Sequence, residues 1–410
     1  MVDRRRILQH LAGAAALAAP GLWPRGGAAQ QRPALTSGLP DGVYDTAILD
    51  ALPGKKPLIK LSYRPPNYET PVAYFGDAIT PNDAFFVRYH LADIPEIDAK
   101  GWRLQVGGEG AASPLQLTLT DLESGFEQVE LAAVCQCAGN RRGLSSPHVA
   151  GVEWGQGAMG NAVWRGVRVK DLLAKAGLKK ETVEIVANGA DGPVLDKTPD
   201  FVKSIPVWKA IDDNTIIAHR MNGQPLPHFN GFPARLIVPG WAGTYWLKHL
   251  VSLQAVTKPF DGFWMKSAYR IPTGKFPVVQ HFASQMTEAN EPITEMVVNS
   301  LIASPADNQP VRRGTPVELR GVAWDAGYGI RRVEVSLDGG ASWQSAALGA
   351  DLGRFAFRGW SYRFTPQAAG PQVILAKASN AIGQTQAESL IFNPAGYHNN
   401  VVRPLTLVVT

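Results

Sequence analysis

Two cysteines are all that this chain of 410 residues contains, and they stand one residue apart, at positions 135 and 137. A disulfide between them would close a very small, strained ring, outside ordinary disulfide geometry. A disulfide framework is therefore excluded, and so is a metal cage built from cysteines alone. The segment Val134-Cys135-Gln136-Cys137-Ala138-Gly139-Asn140-Arg141-Arg142 separates the pair by context. Cys135 ends the apolar run Leu131-Ala132-Ala133-Val134-Cys135, where a thiol packs as a small hydrophobe. Cys137 stands where that run breaks into a Gly-Asn turn and two adjacent guanidiniums, which favour the thiolate that metals bind. Thiolate selects late or sulfur-loving metals over magnesium or calcium. A metal held by this one sulfur must draw most of its ligands from something other than protein, so a large cofactor is implied. The grouping suits a metal centre that acts on a small oxyanion.

The start of the chain predicts export. Residues 3 to 9 read Asp-Arg-Arg-Arg-Ile-Leu-Gln, followed by the apolar stretch Leu11 to Leu22 and the small residues Gly26 to Ala29. That apolar stretch is well short of the roughly 20 residues a bilayer needs, so it reads as a cleavable leader over 1 to 29 and not as a span. Arg4-Arg5, one intervening residue and Ile7-Leu8 resemble a twin-arginine signal, which exports proteins already folded around a cofactor, and this predicts a periplasmic mature chain. The leader carries four Arg and one Asp, so its removal lowers the formal charge from +5 to about +2. Arginine pairs at 141 to 142, 312 to 313 and 331 to 332 are scattered and no long basic run exists, so the sequence does not read as a nucleic-acid binder. No later segment is apolar for long enough to span a membrane.

About 380 residues remain after the leader, enough for two domains. Residues 30 to 75, rich in Pro and Gly, read as an extended arm that wraps and does not pack. From 76 to 290 short strands mix with helical pieces. Trp102 to Val106 and Leu236 to Val238 read as strands, and Val169 to Ala176 has helical spacing that ends at Gly177. The two kinds of element do not alternate regularly, so the class is α+β. From 291 onward the texture becomes all-β: Val317 to Trp324 and Val333 to Leu337 alternate, Asp338-Gly339-Gly340 signals a hairpin, and strands follow at Trp360 to Phe364 and Val373 to Ala378. This is the spacing of a small immunoglobulin-like β-sandwich, here without an inter-sheet disulfide. Glycine-rich loops at 107 to 110 and 155 to 160 lack the strand-to-helix context of a phosphate cradle.

An ordered series of segments resembles the sulfite oxidase family of molybdenum enzymes, and within it the bacterial periplasmic sulfite dehydrogenases. The series comprises Phe86-Val87-Arg88-Tyr89-His90, Cys137 to Arg142, Trp154 to Trp164, Met221 to Pro227, Gly231-Phe232-Pro233-Ala234-Arg235, Val238-Pro239-Gly240 and Gly262 to Arg270. The resemblance implies a sulfite-oxidase-type molybdopterin domain followed by an immunoglobulin-like dimerisation domain, with one molybdenum per chain held by a pterin dithiolene. Cys137 matches the metal-ligand position. Arg88 and Arg142 match the substrate-pocket arginines, where a planar fork holds two oxygens at once. Tyr269 matches the active-site tyrosine, and Trp154 an aromatic wall of the pocket, with a two-residue length difference in the loop after Cys137. Phe86, Arg88, His90, Asp191, Asn230, Arg235, Trp246 and Lys248 fall on cofactor-binding positions, Arg235 and Lys248 suiting the phosphate. Asn230 replaces a His of eukaryotic members, and Ala395 stands where they carry an Arg that enters the substrate pocket.

Oxidising sulfite removes two electrons from sulfur and adds an oxygen, which no side chain can do, so a redox cofactor is obligatory. No Cys-x-x-Cys-His is present for covalent haem, so no haem is expected in this chain and electrons leave to a separate carrier, a c-type cytochrome. The assembly implied is a homodimer or a complex with a small cytochrome subunit. Two other readings compete with sulfite dehydrogenase: the molybdenum subunit of a sulfane-sulfur dehydrogenase acting on thiosulfate-derived sulfur, and a non-enzymatic periplasmic binding module built on the C-terminal sandwich. Nitrate reduction on the same scaffold fits less well, since the fused haem and flavin regions of such enzymes are not found in this sequence.

Overall fold

The alternation of Phe86-Val87-Arg88-Tyr89-His90 decides how the first sheet is used, because successive side chains of a strand face opposite ways. Val87 and Tyr89 turn inward onto Leu58 and Tyr68 in a small core, which leaves Phe86, Arg88 and His90 on the other face. The computed structural model describes residues 49 to 273, 285 to 286 and 288 to 410. The leader at 1 to 29 and the first part of the arm, to 48, lie outside the described residues. The rest of the arm does more than wrap. Leu49–Asp50, Leu58–Ser62 and Asn67–Glu69 pair antiparallel in succession, and the last of them pairs with Val87–Arg88. Leu58, Tyr68 and Phe75 are wholly buried, so the segment packs. Strands this short, broken by Pro and Gly, carry too few alternations to register as a period.

Two five-stranded sheets follow. One runs in the order Val202–Pro206, Glu184–Gly189, Leu250–Val256, Leu104–Gly107 and Leu115–Leu117, with Leu250–Val256 parallel to Leu104–Gly107. The other places Gln224–Pro225, Ile216–Met221, Met159–Arg168 and Gln128–Gln136 side by side, and Arg235–Ile237 joins it on Ile216–Met221. The helix Val169–Lys175 buries Val169, Leu172 and Leu173, and the chain leaves it through Gly177 at φ +67. Helices are few and short, as an irregular α+β pattern predicts. One continuous core, from Phe85 and Leu104 through Trp164 and Leu253, fills the space between the elements.

The C-terminal part is almost entirely β. A four-stranded sheet orders Asn299–Ser304, Val317–Trp324, Arg358–Phe364 and Ala347–Leu348, and a five-stranded sheet orders Pro310–Val311, Leu405–Val409, Gly370–Asn380, Ile330–Ser336 and Gln344–Ser345. Leu319 and Trp360 of the first pack on Val333, Ile374 and Leu407 of the second, so the two sheets share a core. At the hairpin the Asp338 carboxylate accepts from Ser342 N at 2.9 Å and from the Ser336 hydroxyl at 2.7 Å. No helix among the described residues is long and apolar enough to cross a membrane.

A third cluster joins the two parts. Val134 and Met159 of the second five-stranded sheet pack on Leu301, Val322, Trp324 and Phe357 of the sandwich. Val134 N donates to Phe355 O at 2.9 Å, and the Trp324 indole N–H donates to Gln136 Oε1. The strand Gln128–Gln136 is therefore clamped from both sides just where it delivers Cys137.

Candidate active site

The Cys137 loop is built by its own backbone. Cys137 N donates to Ala158 O at 2.9 Å, Asn140 N returns to Cys137 O at 2.9 Å, and Arg142 N to Gly139 O at 2.9 Å. Asn140 Oδ1 accepts from Ala158 N at 3.1 Å, which ties the turn to the neighbouring strand. A side chain on Gly139 would lie 2.6 Å from the Arg142 guanidinium, so the residue there must be glycine for Arg142 to fold back over the turn. Arg141 takes the left-handed conformation, φ +68, and this separates the two adjacent arginines. Wholly buried, Arg141 donates to Ser300 O at 2.7 Å, Val401 O at 3.2 Å and Gln156 Oε1 at 3.1 Å, so it bolts the loop to the sandwich. Only Arg142 stays with the thiol. Both cysteines are free and buried, and burial pushes the Cys135 thiol up to about 11, the inert behaviour expected of it.

A cavity opens on Cys137. Ten of the twelve positions named from the sequence line it: Phe86, Arg88, His90, Cys137, Asp191, Asn230, Arg235, Trp246, Lys248 and Tyr269. Different elements supply them. Arg88 closes the first sheet, Asp191 follows the strand Glu184–Gly189, Arg235 opens Arg235–Ile237, Trp246 ends the turn Gly243–Tyr245, and Lys248 precedes Leu250–Val256. Arg88 Nη1 donates to Asn67 Oδ1 at 3.1 Å, and Lys248 Nζ donates to Arg88 O at 2.6 Å. The His90 ring stacks on Phe201 at 3.6 Å between centroids, and its Nε2 is hydrogen-bonded to the Tyr269 hydroxyl. Burial, then the nearby Arg88, Lys248 and Lys203, hold His90 well below the usual histidine range, so the imidazole is neutral. Tyr269 is raised by burial, and among the charges acting on it are Arg88, Cys137 and Arg142. The thiol, both arginines and the phenol thus converge.

Two buried cations, Arg235 and Lys248, line the cavity, and a third, Lys55, stands behind it on Asn230. Arg235 donates to Asn230 O at 3.0 Å and Trp246 O at 2.9 Å and is lowered by burial. Burial also lowers Lys248 to about 7, against the pull of Asp191, and Lys55 to about 7, against Asp83. None of the three forms an ion pair among the described residues. Arg235 Nε and the hydroxyl of cavity-lining Thr244 are buried without a hydrogen-bond partner. Buried polar groups ordinarily find partners, so the site fits an anionic ligand rich in acceptors, as a pterin phosphate is. No cluster of three or more His, Cys, Asp or Glu suitable for a metal exists among the described residues. The donor set therefore suits a metal that brings its other ligands with the cofactor.

Two named positions lie elsewhere. Arg142 stands just outside the cavity lining, donating from Nε to Ala395 O at 2.8 Å and from Nη1 to Val152 O at 3.2 Å. Trp154, expected as a wall of the pocket, is wholly buried and lines no part of that cavity. Its loop is pinned on both sides, by Gly143 N on Trp154 O at 3.0 Å and by Gly155 N on the Glu69 carboxylate at 2.7 Å, which draws the indole into the core. The sequence also missed residues. Lys55 and Thr244 carry no local signal. Lys203, over the Tyr269 ring at 5.4 Å, looks like one more strand lysine. Tyr397 reaches the site from the sandwich, its ring stacked on Tyr269 at 5.7 Å and beneath the Arg142 guanidinium at 5.4 Å. The Ala395-Gly396 segment was the one hint that this region mattered.

Comparisons with known proteins place these features. Residues 90 to 264 match the oxidoreductase molybdopterin binding domain, and residues 290 to 404 the Mo-co oxidoreductase dimerisation domain. The chain is 36% identical over 320 residues to mitochondrial sulfite oxidase of Homo sapiens, covering 76% of this chain and 57% of that protein. It therefore spans little more than half the length of that relative. Sulfite oxidase of Gallus gallus is 32% identical over 342 residues, 80% of this chain and 72% of that one. The crystal structure of the sulfane dehydrogenase SoxCD from Paracoccus pantotrophus superposes with a TM-score of 0.73 at 27% identity, over 91% of each chain.

Proposed function

Since the chain belongs to the sulfite oxidase family of molybdopterin-binding oxidoreductases, we propose that it oxidises sulfite to sulfate and passes the electrons singly to a c-type cytochrome in the periplasm. The observation that carries the reading is one cavity that gathers the free thiol of Cys137, Tyr269 and Arg88 together with the buried cations Arg235 and Lys248, which form no ion pair among the described residues, while Arg142 acts on Tyr269 from just outside the lining. When bound, a molybdenum pterin would supply the oxygen transfer and the two-electron sink; Cys137 would hold the metal, and Arg235 and Lys248 the phosphate. The chain's own residues do the rest. Arg88 and Arg142 replace the water that a doubly charged oxyanion sheds on entry, without which desolvation would exclude it. His90, neutral and stacked on Phe201, fixes the Tyr269 phenol by hydrogen bond, so Tyr269 presents its oxygen to substrate in one orientation.

The finer assignments belong to the same proposal. The Arg4-Arg5 start supports export of the folded holoprotein, the C-terminal sheets read as an immunoglobulin-like sandwich, and the matched dimerisation domain supports a homodimer. Haem would come from a partner cytochrome. Purified protein, matured with its cofactor, is expected to reduce ferricyanide or cytochrome c with sulfite; stoichiometric molybdenum without that electron flow would refute the reading. The likeness to SoxCD along nine-tenths of each chain favours one alternative, a molybdenum subunit acting on sulfane sulfur. Obligate co-purification with a dihaem cytochrome and inactivity on free sulfite would select it.

A further inference from the structure

The sandwich sets one aromatic side chain against the site: Tyr397, stacked on cavity-lining Tyr269. Tyr397 is 5% exposed. Asn393 brackets its backbone, accepting from Tyr397 N at 3.0 Å and donating to Tyr397 O at 2.5 Å. Its ring lies nearly parallel to Tyr269, 9° between planes, with Arg142 on it. The ring cannot swing away. Among the described residues its hydroxyl has no protein hydrogen bond, and the oxygen is not sealed in as a buried unpartnered atom, so it is open to a ligand. The groups whose charges act on that hydroxyl are Tyr269, Arg142, Cys137 and Arg88, the same residues that surround the site. Burial holds its ionisation far above the working range, so it stays an O–H donor.

Neighbouring donors are already engaged. The Tyr269 hydroxyl is bonded to His90, and Arg142 has committed Nε to Ala395 O and Nη1 to Val152 O, leaving Nη2. Among the described residues the donors near Cys137 without a protein partner include Arg142 Nη2 and the Tyr397 phenol on the sandwich side, and Arg88 Nη2 and Asn140 Nδ2 on the other. We propose that Tyr397 is a second substrate-contacting phenol of this site, whose O–H donates to one oxygen of a pyramidal or tetrahedral oxyanion while Arg142 Nη2 holds another. The inference rests on the oxyanion-oxidising reading above, and it makes the catalytic pocket a joint product of both domains. A phenol that merely filled space would be replaceable by phenylalanine without consequence.

The variant Tyr397→Phe keeps the stack and the cation–π contact and removes only the hydroxyl. In the full-length holoprotein, sulfate binding by calorimetry is expected to weaken about tenfold or more, the range for a hydrogen bond to a charged group. For sulfite, kcat/KM should fall by a similar factor, carried mainly in KM because the contact exists in ground and transition state alike. Molybdenum content and melting temperature should match the wild type. Sulfate affinity and KM within twofold of wild type, at equal metal content, would overturn the inference, as would a wild type that binds no sulfate. Tyr397-dependent sulfate binding in a protein that does not turn over sulfite would uphold this contact and remove sulfite as the substrate.

Discussion

Gly396 permits a direct measurement of how far the sandwich controls Arg142. It sits at φ +62, and a methyl group there would come 2.7 Å from Arg142 Cγ, about 0.7 Å inside the 3.4 Å at which ordinary contact begins. Gly314 supplies the reference, with a similar φ of +73 and nothing within 4 Å. Placing alanine in the left-handed region costs about 1 to 2 kcal/mol at either position. Only Gly396→Ala adds the collision. Arg142 must then move by most of an ångström, and the 2.8 Å bond from its Nε to Ala395 O cannot survive that shift. Misplacing a substrate-orienting group by about 1 Å costs on the order of a hundredfold in rate. Urea unfolding should show both variants destabilised by about 1 kcal/mol or more, Gly396→Ala further by about 1 kcal/mol from overpacking. Sulfite kcat/KM should fall about 10- to 100-fold in Gly396→Ala and stay within about twofold in Gly314→Ala. Equal turnover in the two would show that the segment from 393 to 397 does not position Arg142.

Replacing Cys137 with Ser should abolish molybdenum retention and the visible thiolate-to-metal absorption, whereas Cys135→Ser, whose thiol burial keeps protonated, should keep both; metal analysis beside the spectrum decides. Arg142→Lys loses the fork that reaches Ala395 O and Val152 O together, so sulfite kcat/KM should drop about 10- to 100-fold with folding intact; unchanged kinetics would remove Arg142 from the substrate site. Glu69 makes stability depend on pH. Burial raises its carboxyl from 4.5 to about 7, opposed in part by the N–H groups of Gly155 and Gly157. A raised acid favours the fold fully below the unfolded value, and that contribution is lost as pH climbs through 7, roughly 3 kcal/mol in all. Glu69→Gln does not titrate, so its stability relative to wild type should rise between pH 4.5 and 7, and a flat difference in urea midpoints would contradict the assignment.

What was legible in the sequence was whatever a short run of residues decides. The strand Val317–Trp324 coincides with its alternating stretch, and the helix Val169–Lys175 with its apolar spacing and terminal glycine. The Cys137 turn could be read because a thiol, a Gly-Asn pair and an arginine must be contiguous to fold over one another. Illegible features depend on partners far away in the chain. Nothing near Arg141 or Arg142 says which one folds back over the Cys137 turn; the left-handed φ of Arg141 and the carbonyls of Ser300 and Val401 decide it. The motif alone places Trp154 on the pocket wall, but Glu69, 85 residues earlier, holds its loop against the core. The arm looked loose because three strands of two to five residues are held by neighbours and not by their own period.

The division of the chain near residue 291 separates two cores but not two functions. Several links cross it close to Cys137, among them Val134 N to Phe355 O, the Trp324 indole to Gln136, Arg141 to Ser300 O and Val401 O, and Arg142 to Ala395 O. Arg141 is the telling one. Its guanidinium is wholly buried with no acidic partner among the described residues, and burial lowers it to about 9. Such a charge is tolerated only while the carbonyls of the sandwich replace its water, since an uncompensated buried cation costs several kcal/mol. Removing the sandwich would leave Arg141 to solvent, unlock the turn and strip Arg142 of its Ala395 acceptor at the same time. A chain ending at residue 290 is therefore expected to bind sulfate at least about tenfold more weakly than the whole protein even where its own sheets form, because the lost contacts are charged hydrogen bonds. Equal sulfate affinity in the two, measured by calorimetry at matched metal content, would mean that the substrate arginine is held by the first domain alone.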